Sequence, residues 1–366
     1  SPPVIQSSNF YFKDVPALRA AFKNETEANI YTRGNNPTIN ILRKKIAALA
    51  GAEDALVFSS GIGAVAASVL SNVKAGDHII CVQTPYSWTK KLFKNFLSTF
   101  GVETTFIDGT ETQHFIDTIQ SNTALIYLES PNSFTFELQD IEAVVKIARQ
   151  KNILTILDNS YCTSLGQRCI EMGIDIEVHS ATKYYGGHSD VLAGYVISNK
   201  KMIDKIFVNG LQNIGAVISP HDAALMLRSL RTLPLRLERI KSTTDKVVAF
   251  MEQHPQVEKM YYPFSPSFHQ YMLAKKQMRW CGGLFSAQIK AKNIDEMEIF
   301  CNNLQRFLMA VSWGGHESLI IPSCSFYPKG NYDASVFPFN LIRFYIGLED
   351  AEILIEDLQQ AFLKIV

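Results

Sequence analysis

From about residue 41 the chain alternates two kinds of hydrophobic spacing. ILRKKIAALAG (41–51) repeats its apolar residues at intervals of three and four and stops at Gly51, which predicts an amphipathic helix closed by a glycine. ALVFSS then reads as a strand and IGAVAASVLSNV as a helix. The alternation continues with HIICV, WTKKLFKNFLSTF and VETTFI, then with ALIYLES, IEAVVKIARQK and LTILDN. DIEVHSAT, AGYVISN and the helix KMIDKIFVNG complete it. Short apolar runs separated by helices predict an α/β fold with a mainly parallel sheet covered on both faces.

HDAALMLRSLRTLPLRLERI reads as a long helix interrupted near Pro234, and beyond it the pattern changes. Mixed strands such as GGLFSAQIK and LIRFYIG accompany the helices IDEMEIFCNNLQRFL and EDAEILIEDLQQAFLKI, as in a smaller α+β domain. Residues 1–40 are rich in Asn, Pro and Ser with little periodicity, so they are expected to form an extended arm ordered by another surface, such as a partner subunit. The expected division is therefore an arm at 1–40, a large domain at 41–230 and a C-terminal domain at 231–366. No internal repeat or low-complexity stretch interrupts it.

Composition narrows the class. The 366 residues are 47% hydrophobic and 19% charged, and no apolar run approaches the ~18 residues needed to span a bilayer. Thirty-five basic residues balance 35 acidic ones without a basic block, which disfavours nucleic acid as a partner. Cys81, Cys162, Cys169, Cys281, Cys301 and Cys324 are dispersed, with no metal-ligand spacing, so free thiols in a reducing cytoplasm are expected and no metal site. The opening SPPVIQSSNF has neither the basic flank nor the apolar core of a signal peptide. With no initiator methionine at Ser1, some residues are expected upstream.

The candidate chemistry gathers around Lys183, in SATKYYGGHSDVLAG (180–194). Lysine forms a Schiff base with an aldehyde, and Ser180 and Thr182 beside it offer hydroxyls to a phosphorylated one. Upstream, ILTILDNSY delivers Asp158 at the carboxyl end of a buried strand, the end at which α/β sheets bind ligands. Ser59-Ser60-Gly61-Ile62-Gly63 joins a strand to a helix, where free N–H groups suit a phosphate dianion. Tyr86, just past HIICV, could stack on a flat ring. Lysine, carboxylate, phosphate donors and aromatic together are the requirements of a pyridoxal-phosphate site. Taken singly each has an ordinary reading: a solvated lysine before a turn, a strand-end aspartate, a tight turn and an amphipathic tyrosine.

The chain resembles the Cys/Met-metabolism (transsulfuration) family of pyridoxal-phosphate enzymes over essentially its whole length. The resemblance rests on YTRGNNPT (31–38), FSSGIGAV (58–65), GDHII (76–80), LESP (128–131), LDNSYCT (157–163), VHSATKYYGGHSD (178–190), SPHDAALMLRSLRTLPLR (219–236) and VSWGGHESLI (311–320). It implies the aspartate-aminotransferase-like fold of fold type I enzymes, pyridoxal 5'-phosphate on Lys183, and Asp158 on the pyridine nitrogen. It also implies phosphate binding by Ser60, Gly61, Ile62, Ser180 and Thr182, with Tyr31 and Arg33 reaching the phosphate of a neighbouring subunit. Tyr86 would stack on the ring, and Arg343 with Ser312 would hold the carboxylate of a small sulfur-containing amino acid. The expected assembly is a cytoplasmic homotetramer of active dimers.

Departures from the family pattern bear on the reaction. Many members carry Asn-Pro after the ESP string, where this chain has Ser133 and Phe134. Bacterial cystathionine β-lyases resemble it there and share the string Ser312-Trp313-Gly314-Gly315. Trp88 stands where methionine γ-lyases usually place a cysteine, and Val311 where cystathionine γ-lyases and γ-synthases often carry an acid. The expectation is β-elimination, converting cystathionine to homocysteine, pyruvate and ammonia. γ-Elimination or γ-replacement is the alternative, and a cofactor-binding scaffold without turnover the remote one.

Overall fold

The computed structural model describes residues 2–280, 282–327 and 337–365. Cys281 therefore lies outside the described residues; the other five cysteines are buried.

Seven strands form the larger sheet: β1 (Asp54–Phe58), β2 (His78–Val82), β3 (Glu103–Ile107), β4 (Thr123–Glu129), β5 (Leu154–Asp158), β6 (Ile176–Ser180) and β7 (Gly194–Ser198). Their spatial order is β1-β7-β6-β5-β4-β2-β3. β7 runs antiparallel to both its neighbours, and the pairs from β6 to β3 are all parallel. The alternating side chains of β2 explain the double covering. Ile79 and Cys81 pack with Ala64, Val65 and Ala67 of the helix Gly61–Leu70 on one face. Ile80 and Val82 pack with Ile141, Val144, Val145 and Ala148 of the helix Ile141–Gln150 on the other. A parallel strand buried on both faces must be apolar along its length, as Ile79–Val82 are, and His78 at its start is buried on hydrogen-bond contacts with Thr123 (2.8 Å) and Thr105 (2.9 Å).

The smaller sheet contains β8 (Val257–Tyr261), β9 (Leu284–Ile289), β10 (Leu308–Met309), β11 (Leu319–Pro322) and β12 (Leu341–Tyr345) in the order β10-β11-β12-β9-β8. This is the mixed, mainly parallel sheet with a smaller C-terminal sheet domain that the alternation implies.

Local differences from the sequence reading have physical causes. The arm contains the helix Val15–Phe22, started by Asp14, whose carboxylate accepts the Ala17 N–H at 2.7 Å. A helix of eight residues is too short for its periodicity to stand out. The next helix begins at Pro37, capped by Asn36, before the expected boundary at 41. WTKKLFKNFLSTF is α-helical only over Ser87–Lys91 before passing through π and 3₁₀ turns, and IDEMEIFCNNLQRFL leaves the helix after Asn303, so that Leu308 joins β10. The break near Pro234 is three residues of 3₁₀ helix, Leu230–Thr232, after which Pro234 opens the helix Leu233–Gln253. Proline is tolerated in a first turn because it lacks only an N–H that would have no intrahelical partner.

Candidate active site

The parallel strands deliver their carboxyl ends to one edge of the sheet. β1 leads to Ser60 and Gly61, β2 to Tyr86, β4 ends at Glu129, β5 at Asp158 and β6 at Ser180. This is the edge of an α/β sheet at which ligands bind.

At the end of β1, Ser60 caps the helix Gly61–Leu70, its hydroxyl accepting the Gly63 N–H at 3.1 Å. The N–H groups of Gly61 and Ile62 then have no intrahelical acceptor and point out of the helix start. Gly61 is required by close approach: a Cβ there would stand 2.7 Å from the Cα of Ser180. Thr182 turns to β7, accepting the Ala193 N–H at 3.0 Å. Ser160 ties β5 to β6, since its hydroxyl donates to Asp158 Oδ1 (2.6 Å) and accepts the Ser180 N–H (2.6 Å). Asp158 Oδ2 and the Ser180 hydroxyl have no hydrogen-bond partner among the described residues.

Lys183 Nζ donates to the hydroxyl of Ser312, and Arg343 on β12 donates to the Ser312 carbonyl at 3.1 Å. Gly314 lets this loop meet the lysine backbone: its φ is 92°, and a Cβ would stand 2.7 Å from the Cα of Lys183. Lys183 Nζ lies 5.5 Å from the Trp313 ring centre, and Trp313 packs edge-on against Tyr184 at 5.2 Å. The Arg343 guanidinium lies 5.1 Å from the ring centre of Phe134, which stacks on Phe337 at 4.6 Å. Burial holds the Lys183 ammonium down to about 8, helped by the Arg343 charge and opposed by Asp158.

Glu129 is the residue that sequence reasoning missed. It stands in register with Asp158 across β4 and β5. Its Oε2 accepts the Tyr86 N–H at 2.7 Å and its Oε1 the Ser133 hydroxyl at 2.8 Å. Burial, and then the charge of Asp158, push the Glu129 carboxyl up to about 8. Burial also raises Asp158, against its two bonds from Ser160. Tyr86 is raised by burial and by both carboxylates, so its phenol keeps its proton. The signal was available: ALIYLE, like LTILD, is an apolar run that ends on a carboxylate.

Tyr31 and Arg33 stand apart from this group. Tyr31 is half-exposed and forms an isolated bridge with Asn9. Arg33 lies 5.5 Å from the Tyr31 ring centre and donates to Gln212 Oε1 at 3.0 Å. No group of three or more His, Cys, Asp or Glu side chains arranged to hold a metal occurs among the described residues. Nor is any described helix long and apolar enough to cross a membrane.

Residues 1–363 match the family described as Cys/Met metabolism PLP-dependent enzyme. An L-methionine gamma-lyase of Fusobacterium nucleatum subsp. polymorphum is 38% identical over 99% of this chain and 93% of its own. A cystathionine gamma-lyase of Macaca fascicularis is 37% identical over 98% of this chain and 88% of its own. An L-alanine/L-glutamate racemase of Wolbachia pipientis wMel is 32% identical over 100% of this chain and 93% of its own. The free carboxylate oxygen, the unpartnered Ser180 hydroxyl and the open helix start match the donor and acceptor needs of pyridoxal phosphate. The chain belongs to the Cys/Met metabolism family of pyridoxal-phosphate-dependent enzymes.

Proposed function

We propose that this protein is a carbon–sulfur lyase that eliminates a thiol from the γ-carbon of a sulfur-containing amino acid. The observation that carries the reading is the juxtaposition of a lysine held down to about 8 with Ser312 and Arg343, in a chain whose near-full-length relatives include γ-lyases. The likeness to those relatives moves the weight from the β-elimination expected above to its alternative.

Bound pyridoxal phosphate supplies the electron sink for a carbanion at the substrate α-carbon. In this reading Lys183 carries it and Asp158 Oδ2 accepts the pyridinium hydrogen. The N–H groups of Gly61 and Ile62, with Ser60, Ser180 and Thr182, bind the phosphate, and Tyr86 covers the ring. Arg343 grips the substrate carboxylate with its planar fork, beside Ser312. Lys183, freed when the substrate amine takes its place and neutral above about pH 8, would take the proton from the α-carbon. For γ-elimination it would have to pass that proton on before taking a second from the β-carbon. The phenol of Tyr86, kept protonated, donates to the leaving sulfur. Residues 1–40 contact a second subunit, whose phosphate Tyr31 and Arg33 approach, within a homotetramer of active dimers.

Purified protein given methionine and cystathionine should release 2-oxobutyrate. Pyruvate without 2-oxobutyrate would overturn γ-elimination. It would favour β-elimination, the second reading, which rests on Ser133 and on Trp313 beside Lys183. Lys183→Ala should abolish borohydride fixation of the cofactor to the chain; fixation that persists would remove Lys183 from its role.

A further inference from the structure

The end of β4 carries a group to which the proposed reaction assigns no task. Glu129 is only 8% exposed, and each of its oxygens is engaged by a different part of the site. Oε2 takes the N–H of Tyr86, whose own φ and ψ of −45° and 132° start the helix Ser87–Lys91 with no side-chain cap. Oε1 takes the hydroxyl of Ser133, which is thereby turned to the protein. The in-register partner on β5 is a second carboxyl, Asp158. Two carboxyls on paired strand positions in a buried setting repel one another when both are ionised, so they settle with one negative charge between them.

We propose that Glu129 is a positioning residue of this site: its carboxyl fixes the backbone of Tyr86 and the hydroxyl of Ser133, and it shares one negative charge with Asp158. The proposal rests on the reading that Asp158 and Tyr86 face the cofactor. When a pyridinium sits on Asp158 the charge belongs there and Glu129 keeps the proton. When Glu129 ionises in turn, the added negative charge stabilises protonated nitrogen nearby. The titratable and charged groups facing it are Asp158 on β5, Cys81 on β2, Tyr86 after β2, Tyr127 on its own strand and Arg343 on β12. Cys81 and Tyr127 are raised by burial, which leaves Asp158 as the partner that exchanges charge with Glu129 and Arg343 as the cation drawn to it.

The test compares wild-type holoenzyme with Glu129→Gln and Glu129→Ala, measuring pyridoxal-phosphate affinity and the pH midpoint of the bound cofactor's visible absorption. Gln can still accept the Tyr86 N–H on its one oxygen, and its amide nitrogen can donate to the Ser133 hydroxyl in place of the bond accepted there, but it cannot take a charge. Cofactor affinity should therefore stay within about threefold of wild type in Glu129→Gln and fall about tenfold or more in Glu129→Ala, the loss of a buried acceptor. The midpoint should fall by at least ~0.5 pH unit in Glu129→Gln, because no second charge supports the protonated nitrogen. An unmoved midpoint in Glu129→Gln, or wild-type affinity in Glu129→Ala, overturns the proposal. A wild-type protein that fails to fix the cofactor on Lys183 would instead overturn the reading on which it rests.

Discussion

Two sets of buried carboxyls sit one strand apart in the same sheet and meet opposite neighbours. Glu129 and Asp158 lie side by side at the strand ends, carboxyl against carboxyl, with Asp158 Oδ2 unclaimed among the described residues. Glu177, on β6 and fully buried, faces donors. Its Oε1 accepts from Asn159 Nδ2 at 2.8 Å and from the Ser164 hydroxyl at 2.7 Å, and lies 2.8 Å from His179 Nε2. The Tyr185 hydroxyl extends the cluster by donating to Ser164 at 3.0 Å. Three neighbours converge on one oxygen of Glu177 while its Oε2 has no partner among the described residues, so what separates it from the strand-end pair is that its neighbours are donors, whereas a carboxyl set against a like charge keeps a demand that a ligand can meet. All three carboxyls are buried, so it is the identity of the neighbour that separates framework from site.

Removing the framework carboxyl should have the largest effect on stability. Glu177→Ala leaves Asn159, Ser164 and His179 without their common acceptor in a sealed space. It should cost ~3–5 kcal/mol, seen as a lower urea midpoint. A loss below about 1 kcal/mol, the net worth of one ordinary hydrogen bond, would show that the cluster is not what holds β6 in place. On the other side of the comparison, Lys183 is a partly buried cation in the cofactor-free protein. Its folded value of about 8 lies below the ordinary 10.5, so between these values the unfolded chain binds more protons and wild-type stability rises with pH. Lys183→Met lacks that rise. The apo variant should exceed apo wild type by up to ~3 kcal/mol at pH 7, and the gap should close by about pH 10.5. Equal urea midpoints at pH 7 would mean that the ammonium is not penalised where it lies.

What was legible in the sequence follows the same division. β2, β4 and β5 announce themselves because both faces of a central parallel strand must be apolar. The carboxyl of Asp158 is visible because it ends such a run. The identical rule applied to ALIYLE picks out Glu129, whose carboxyl also falls inside the family string LESP. The partners that give these carboxyls their character are not local. Ser160 reaches Asp158 across two residues, but Ser312 reaches Lys183 from 129 residues away and Phe134 meets Arg343 only after the second sheet folds back. Spacing along the chain carries no record of such meetings. The π and 3₁₀ turns after Lys91 were invisible for a related reason: packing of Phe93 and Leu97 into the sheet core sets the winding there, and helical periodicity alone does not reveal it.

The smallest effect on stability is expected where the two regions touch. Gly61 starts the helix at the end of β1, and Ser180 ends β6, three residues after Glu177. An alanine Cβ at Gly61 would stand 2.7 Å from both the Cα and the Cβ of Ser180 and 2.9 Å from its Oγ. The first two partners cannot rotate away, so the helix start must retreat from the strand. Overpacking of this kind costs ~1–3 kcal/mol. The retreat separates the free N–H groups of Gly61 and Ile62 from the Ser180 hydroxyl, which together form the proposed phosphate site. Gly61→Ala should therefore weaken pyridoxal-phosphate binding about tenfold, or ~1.4 kcal/mol. Ser180→Ala removes the hydroxyl without adding a clash and should weaken binding while leaving the urea midpoint of the apo protein unchanged. If Gly61→Ala lowered that midpoint as far as Glu177→Ala does, the strand end would be framework after all, and the contrast between the two carboxyl sites would not extend to the phosphate end.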